Sequence, residues 1–135
     1  MNRIDRLFLD LKGQGRKALI AYVTGGYPTL SAMDKAVKDL VRGGADLIEI
    51  GVPFSDPIAD GPTIQESSQK ALDGGITPSA LLDWVKRFRK SHETPVVLMT
   101  YMNPVASRGI DRFAREAQTA GVDGVIVPDL IIEEG

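Results

Sequence analysis

The sequence predicts an α/β fold with a parallel sheet, and two observations lead to this prediction. Short apolar segments, typical of buried strands, alternate along the chain with segments in which apolar residues recur every three or four positions, typical of amphipathic helices. The apolar segments also contain few polar residues, as expected of parallel strands that are covered by helices. The predicted strands are 18–23, 47–52, 95–101 and 124–127.

The predicted helices have start and stop signals of their own. A helix over 3–11 precedes the first strand, and its apolar residues share one face, as in a helix that caps another element. The other helices cover 31–41, 63–72, a segment that opens at Thr77-Pro78-Ser79 and runs to Arg89, and 110–120. Proline in the first turn and glycine after the last are the expected boundary signals. The element order after the first helix is therefore βαβααβαβ.

Four strands are half of what a TIM barrel, the (β/α)8 fold, requires. That fold takes about 250 residues, or about 30 per strand and helix, whereas this chain has 135 residues. The sequence thus predicts that residues 1–135 are half of a TIM-barrel domain, or a small open α/β sheet. In either case β-strands at both edges of the sheet would lack partners.

Composition excludes several classes of function. The chain has 16 Lys and Arg against 18 Asp and Glu, so its net charge of −2 offers no basic excess for nucleic acid. It has no cysteine and a single histidine, His92, which excludes disulfides, thiolate nucleophiles and Cys- or His-rich metal sites. No apolar run approaches the ~20 residues of a membrane span, and the N-terminus does not have the pattern of a secretory signal. We therefore expect a cytoplasmic protein.

Glu49 is the most informative residue. It lies in the second predicted strand on the same face as Leu47 and Gly51, whereas Ile48 and Ile50 share the opposite face, which suits packing under helices. A carboxylate that faces a barrel interior is costly to desolvate, and such a cost usually accompanies function. The alternative interpretation is a glutamate at a strand end that is paired with Arg or Lys.

The loop after this strand strengthens the functional interpretation. Residues 51–62 contain three prolines and two aspartates, Asp56 and Asp60, directly after a strand, where parallel α/β folds build active sites. Prolines restrict the loop, so its acids would be held in place. Both aspartates could instead be turn formers. A glutamate and an aspartate around one strand end would suit acid/base chemistry.

At this point the sequence resembles a known family. Segment 47–61 (LIEIGVPFSDPIADG) closely resembles the signature of the tryptophan synthase α subunit family. Segments 22–28, 99–104 and 124–130 resemble that family's first, third and fourth strand–loop segments, and segment 61–65 resembles the start of its second helix. The resemblance therefore covers the N-terminal half of that family's barrel. The resemblance implies a TIM barrel and a lyase of tryptophan biosynthesis that cleaves indole-3-glycerol phosphate to indole and glyceraldehyde 3-phosphate, with no metal or organic cofactor.

The resemblance also implies site residues. Glu49 matches the general acid/base, and Asp60 matches the carboxylate that holds the indole nitrogen. The residues expected to bind substrate at the strand ends are Tyr22, Thr24, Met99 and Tyr101, although core packing is an alternative for Met99. The residues that match the family's contacts with the β subunit are Pro53, Asp56, Pro57, Asn103 and Pro104.

The chain also departs from the family. The family's phosphate-binding loops after strands 7 and 8, and its mobile loop after strand 6, have no counterpart in the 135 residues. We expect the inner face of the half-barrel, with Tyr22, Leu47 and Tyr101, to contact solvent or another chain. The alternative function is a catalytically silent half-barrel that acts as a folding or self-assembly module, joined by a missing C-terminal half or by a second copy.

Overall fold

The computed structural model describes residues 1–55 and 61–130. It is an α/β structure in which helices and strands alternate as predicted, with one short helix that the sequence did not reveal. In chain order its elements are α1 (Arg3–Gly13), β1 (Ile20–Thr24), α2 (Leu30–Arg42), β2 (Leu47–Gly51), α3 (Pro62–Asp73), α4 (Pro78–Phe88), β3 (Val96–Met99), α5 (Met102–Arg108), α6 (Ile110–Ala120) and β4 (Gly124–Ile126). The predictions for residues 56–60, which include Asp56, Pro57 and Asp60, lie outside the described residues.

The four strands form one parallel sheet in the order β1-β2-β3-β4. In this register Tyr22 pairs with Glu49, Glu49 with Val97, and Val97 with Gly124. Sequential parallel strands joined by helices are the arrangement of successive units of a (β/α)8 barrel, so the predicted fold class holds. Within the described chain β1 and β4 are the edges, and Ile20, Val125 and Ile126 are exposed there.

The main core lies between one face of the sheet and helices α2, α4 and α6. Ile48 and Ile50 of β2 are fully buried in it, as their shared face predicted. Helix α4 contributes every residue of its predicted apolar stripe: Leu81, Leu82, Trp84, Val85 and Phe88. Burial of each such side chain is worth about 1.5–3 kcal/mol, which makes α4 the central helix of the outer layer.

The opposite face of the sheet is less open than the sequence predicted. Leu47 and Tyr101 were expected to contact solvent or another chain, yet both are buried within this chain, and Tyr22 is half-buried. Helix α1 covers part of this face, because the side chain of Ile4 lies 3.4 Å from where a Cβ on Gly124 would stand. Tyr101 is covered by Phe54, whose ring centroid is 5.4 Å away. The expectation failed because the covering residues come from distant parts of the chain, and a local sequence pattern does not show which side chains they cover.

A buried ion pair joins the connections at the amino ends of β3 and β4. Arg89, at the end of α4, pairs with Asp123, and their side chains are only 9% and 3% exposed. Asp123 also accepts a hydrogen bond from the Val96 backbone N–H at 2.9 Å and one from Arg3 at 3.2 Å. Because β3 begins at Val96 and β4 follows Asp123, this pair fixes the starts of two neighbouring strands.

Candidate active site

The carboxyl ends of the strands meet at one edge of the sheet, and backbone hydrogen bonds continue past the strands there. The Gly25 N–H donates to the Gly51 carbonyl at 2.8 Å, and the Val52 N–H donates to Met99 at 2.8 Å. The Thr100 N–H donates to Ile126 at 2.9 Å. The four strand ends are thus held in fixed relative positions. Parallel α/β folds place their active sites at this edge.

Glu49 lies two residues before the carboxyl end of β2. Its side chain is on the face of the sheet away from the outer helices. It is the half-buried residue in a strand whose other four members are buried. Among residues 1–55 and 61–130 no Arg, Lys or His forms an ion pair with it, and no hydrogen bond to its carboxylate is present. The interpretation of Glu49 as a paired strand-end residue therefore finds no partner in the described part of the chain. The geometry leaves its carboxylate available for a ligand.

The side chain of Tyr22, on β1, packs over Gly51 at the end of β2. A Cβ added to Gly51 would lie 1.9 Å from the Tyr22 hydroxyl oxygen and 2.7 Å from the adjacent ring carbon. Gly51 is therefore required because the phenol occupies the volume of a side chain. Since Tyr22 is the in-register neighbour of Glu49, a phenol ring and a carboxylate lie side by side on the inner face.

The other residues predicted to bind substrate lie near the same edge. Met99 ends β3 and is half-buried, and Tyr101 follows it and is buried against Phe54. Thr24 ends β1 and is buried, and its hydroxyl lies 2.7 Å from that of Ser67 on α3. The structure thus brings these residues to one edge, while their contact with a substrate stays a prediction.

Ser67 was not recognised in the sequence. It lies in α3 on a face shared with Ile64 and Ala71, and both Ser67 and Ser68 are buried. Serines in a helix are usually solvated, so the residue type alone did not indicate that these two are buried. The available signal was their spacing of three and four residues from apolar neighbours, which placed them on the inward side of the helix.

The predicted partner residues have mixed exposure. Asn103 is exposed in the first turn of α5, Pro104 is half-buried beside it, and Pro53 is buried. The amino end of α5 is held by the loop after β4, because Asp129 accepts a hydrogen bond from the Met102 N–H at 2.9 Å. Helix α5 begins directly after Tyr101, where the third strand was predicted to end.

Residues 1–55 and 61–130 contain neither a metal-binding cluster nor a membrane-spanning helix. No cluster of three or more His, Asp or Glu side chains is arranged to hold a metal ion. No helix in these residues has the length and apolar character needed to cross a bilayer. Two clefts in the helical layer, of about 420 and 510 Å³, are lined by α4 with α6 and by α2 with α4, and Glu49 lines neither.

Comparison with known proteins identifies similar sequences over nearly the whole chain. A family model described as tryptophan synthase alpha chain matches residues 8–135. A tryptophan synthase alpha chain from Burkholderia ambifaria is 54% identical over 135 residues, which cover 99% of this chain and 50% of that protein. One from Caldanaerobacter subterraneus subsp. tengcongensis is 50% identical over 134 residues, which cover 99% of this chain and 51% of that protein.

Solved structures agree with the sequence matches. Tryptophan synthase subunit alpha from Legionella pneumophila superposes with a TM-score of 0.97 at 45% identity, covering 99% of this chain and 52% of that one. A structure of Mycobacterium tuberculosis tryptophan synthase gives a TM-score of 0.92 at 42% identity, covering 98% and 51%. The chain therefore spans about half the length of the relatives that it matches, and its four strands correspond to half of a TIM barrel.

Proposed function

The chain belongs to the tryptophan synthase alpha chain family, and from that membership we propose that it supplies half of an active site for the cleavage of indole-3-glycerol phosphate. The products would be indole and glyceraldehyde 3-phosphate, in tryptophan biosynthesis. The observation that carries the proposal is the half-buried carboxylate of Glu49 beside Tyr22 at the carboxyl edge of the sheet, with no ion-pair partner among residues 1–55 and 61–130. A carboxylate without a structural partner at this edge is free to act on a ligand.

Glu49 is proposed as the general acid/base. Retro-aldol cleavage requires a proton on the indole ring carbon that bears the side chain and removal of a proton from the neighbouring glycerol hydroxyl. The bond between the ring carbon and the hydroxyl-bearing carbon then breaks, giving indole and an aldehyde. A carboxyl group that is only partly solvated can carry out both proton transfers, and such catalysis typically contributes 10²–10⁴-fold.

Asp60 is proposed to hold the indole nitrogen. Protonation of the ring carbon places positive charge on that nitrogen, and a fixed carboxylate stabilises the charge as it develops. Tyr22, Thr24, Met99 and Tyr101 are proposed to line the rest of the site, with the ring of Tyr22 against the indole. No step in this scheme uses a metal or an organic cofactor.

Two kinds of protein partner are proposed. The exposed edges of β1 and β4 would pair with the remaining half of a barrel, which would also supply the phosphate-binding loops. A tryptophan synthase β subunit would bind at Pro53, Asp56, Pro57, Asn103 and Pro104. Of these, Asn103 gives the clearest test because it is exposed. The variant Asn103→Arg should weaken binding of a β subunit, measured by calorimetry. The control Gln118→Arg, at an exposed position of α6, should leave this affinity unchanged. Equal affinities would contradict this surface.

The catalytic proposal is tested by indole release. The protein for this test is the completed chain, which we define as residues 1–135 joined to the remaining half of the Burkholderia ambifaria relative. Wild-type, Glu49→Gln and Asp60→Asn forms are compared with Glu66→Gln, whose glutamate is exposed on α3. We expect indole release by wild type and Glu66→Gln, and a loss of about 10²–10⁴-fold in Glu49→Gln.

The control results decide how the assay is read. The 135-residue chain is assayed in parallel, and its activity measures how much of the site one half assembles. A folded completed chain that released no indole would contradict the proposed substrate. Release that is equal in wild type and Glu49→Gln would contradict the proposed role of Glu49.

A further inference from the structure

The helical layer contains a cleft with an excess of positive charge, on the side of the sheet opposite to Glu49. The cleft lies between α4 and α6 and has a volume of about 420 Å³. This volume is within the range of about 300–1,000 Å³ that is typical of small-molecule sites. The charged residues that line the cleft are Asp83, Lys86, Arg108, Arg115 and Glu116.

Arg108 is held in the cleft by an ion pair with Glu116. Its Nε donates to the Glu116 carboxylate at 2.5 Å, and its side chain is 19% exposed. Arg112 donates to the other oxygen of the same carboxylate at 2.7 Å. We call these three residues the arginine–glutamate trio. Because one carboxylate serves two guanidinium groups, the trio keeps a net positive charge, and Arg108 keeps N–H donors that Glu116 does not occupy.

Lys86 and Arg115 add two positive charges that no carboxylate neutralises. In the described part of the chain neither side chain forms an ion pair or a hydrogen bond. Acids are available to them, because Asp83 lies three positions before Lys86 and Asp111 lies four positions before Arg115, the spacings at which ion pairs form on a helix. Pairs of this kind do form on α2. Both cations are therefore available to a ligand in the cleft.

We propose that this cleft binds a small organic phosphate. Arginine donates parallel N–H groups to phosphate oxygens, and lysine adds a point charge. The hydroxyls of Ser79 and Thr119 also line the cleft and can donate to the remaining oxygens. Leu82 and Ala120, each 6% exposed, supply apolar lining for the body of the molecule. The inference goes beyond the proposed function, because none of these lining residues belongs to the proposed active site.

The charge balance favours a phosphate over a carboxylate. Lys86, Arg115 and the arginine–glutamate trio each contribute one positive charge. Asp83 is the remaining acid among the described lining residues, so three positive charges face one negative charge and two are left over. A phosphate monoester carries a charge of about −1.5 to −2 at pH 7. A carboxylate carries one negative charge and would leave part of the excess uncompensated.

Calorimetry of the 135-residue chain with phenyl phosphate tests the proposal. This probe joins a phosphate to an apolar ring, whereas inorganic phosphate and phenol each present one of the two parts alone. We expect saturable binding of one phenyl phosphate with a Kd below about 1 mM, at least about tenfold tighter than the binding of inorganic phosphate or phenol. The affinity should fall as NaCl is added, because the cations in the cleft are open to screening.

Variants of the lining residues test which groups bind the probe. Lys86→Gln and Arg115→Gln should each weaken binding of phenyl phosphate about three- to tenfold. Asp83→Asn should tighten it about two- to threefold, because it removes a negative charge beside the phosphate. The matched control is Arg87→Gln, which removes the same charge from an exposed position of α4 that lines the cleft between α2 and α4. It should leave the Kd unchanged.

Amide chemical shifts locate the bound probe. Phenyl phosphate should shift amides within 79–86 and 108–120 and leave those of 20–24 and 47–51 unchanged. Shifts confined to 20–24 and 47–51 would overturn the proposal, because the phosphate would then bind at the proposed active site. So would the absence of saturable binding, binding no tighter than that of inorganic phosphate, or equal losses in Arg115→Gln and Arg87→Gln. None of these measurements uses indole release, so failure of the proposed function leaves their outcome unaffected.

Discussion

Replacement of Arg89 with methionine should destabilise the chain by about 3 kcal/mol. Methionine has a similar length without the charge, so the change removes the guanidinium from a site where it is 9% exposed. Arg89 donates to the carbonyls of Gly121 at 2.9 Å and Thr94 at 2.6 Å, besides pairing with Asp123. Removal of one partner from a buried pair typically costs 3–5 kcal/mol, because the other charge stays buried.

The loss of stability in Arg89→Met should fall at the lower end of the range of about 3–5 kcal/mol. Asp123 keeps a hydrogen bond from the Val96 N–H at 2.9 Å and one from Arg3 at 3.2 Å, and these compensate part of its charge. The matched control is Arg112→Met, which breaks an i,i+4 pair with Glu116 in which the arginine side chain is 64% exposed. Exposed helix pairs of this kind are worth about 0.3–0.5 kcal/mol.

Urea unfolding at pH 7, followed by circular dichroism, measures both changes. We expect the free energy of unfolding to fall by about 3 kcal/mol in Arg89→Met and by less than about 1 kcal/mol in Arg112→Met. A similar loss in the two variants would refute the conclusion that the Arg89–Asp123 pair holds the starts of β3 and β4 together.

Two further variants test separate parts of the structure. Gly51→Ala should lower the free energy of unfolding in urea by about 1–3 kcal/mol, because its Cβ would lie 1.9 Å from the Tyr22 hydroxyl. Gly13→Ala is the control and should not lower it, because no atom lies within 4 Å of the added Cβ. Equal effects of the two variants would contradict the packing of Tyr22 on Gly51. Hydrogen bonds from Arg16 and from the Leu19 N–H hold the pKa of Asp46 below its usual value. Because the folded-state pKa is lowered, the stabilisation is complete above the unfolded pKa and is lost as pH falls through the folded one. Asp46→Asn should therefore lose less stability than wild type as pH falls below about 4, the ordinary pKa of an aspartate, and parallel pH curves would contradict this assignment.

Much of the fold could be predicted because local pattern and tertiary burial agree. The apolar stripe of α4 matches its buried residues, and the two faces of β2 are divided as the alternation of Ile48, Glu49 and Ile50 predicted. The predicted bounds of α6 are the observed ones. In these elements one side packs on the sheet and the other is solvated, which is the condition under which periodicity is informative.

The errors occurred where tertiary contacts decide the structure. The third strand was predicted to reach Tyr101 but ends at Met99, and the seven-residue helix α5 follows, with Pro104 in its first turn. A helix this short has too few residues for periodicity to reveal it. The burial of Leu47 and Tyr101 depends on covering groups from elsewhere in the chain, which no local pattern reports.

The candidate site was predictable in part for the same reason. Glu49 was identified because a charged residue in an apolar strand is conspicuous, and its lack of an ion-pair partner in residues 1–55 and 61–130 agrees with a functional interpretation. Ser67 was missed because a serine in a helix is ordinary until its contact with β1 is known. The sequence thus indicates candidate groups for the chemistry, whereas the structure shows the contacts of the residues around them.

The most direct test of the central claim follows the proton that Glu49 is proposed to deliver. Cleavage of indole-3-glycerol phosphate by the completed chain is run in D₂O, and the indole is analysed by mass spectrometry and NMR. Wild type should yield indole with one deuterium on the ring carbon that carried the side chain, and Glu49→Gln should form it at least about 100-fold more slowly. Deuterated indole formed by Glu49→Gln at the wild-type rate would contradict the account, because another group would then supply the proton.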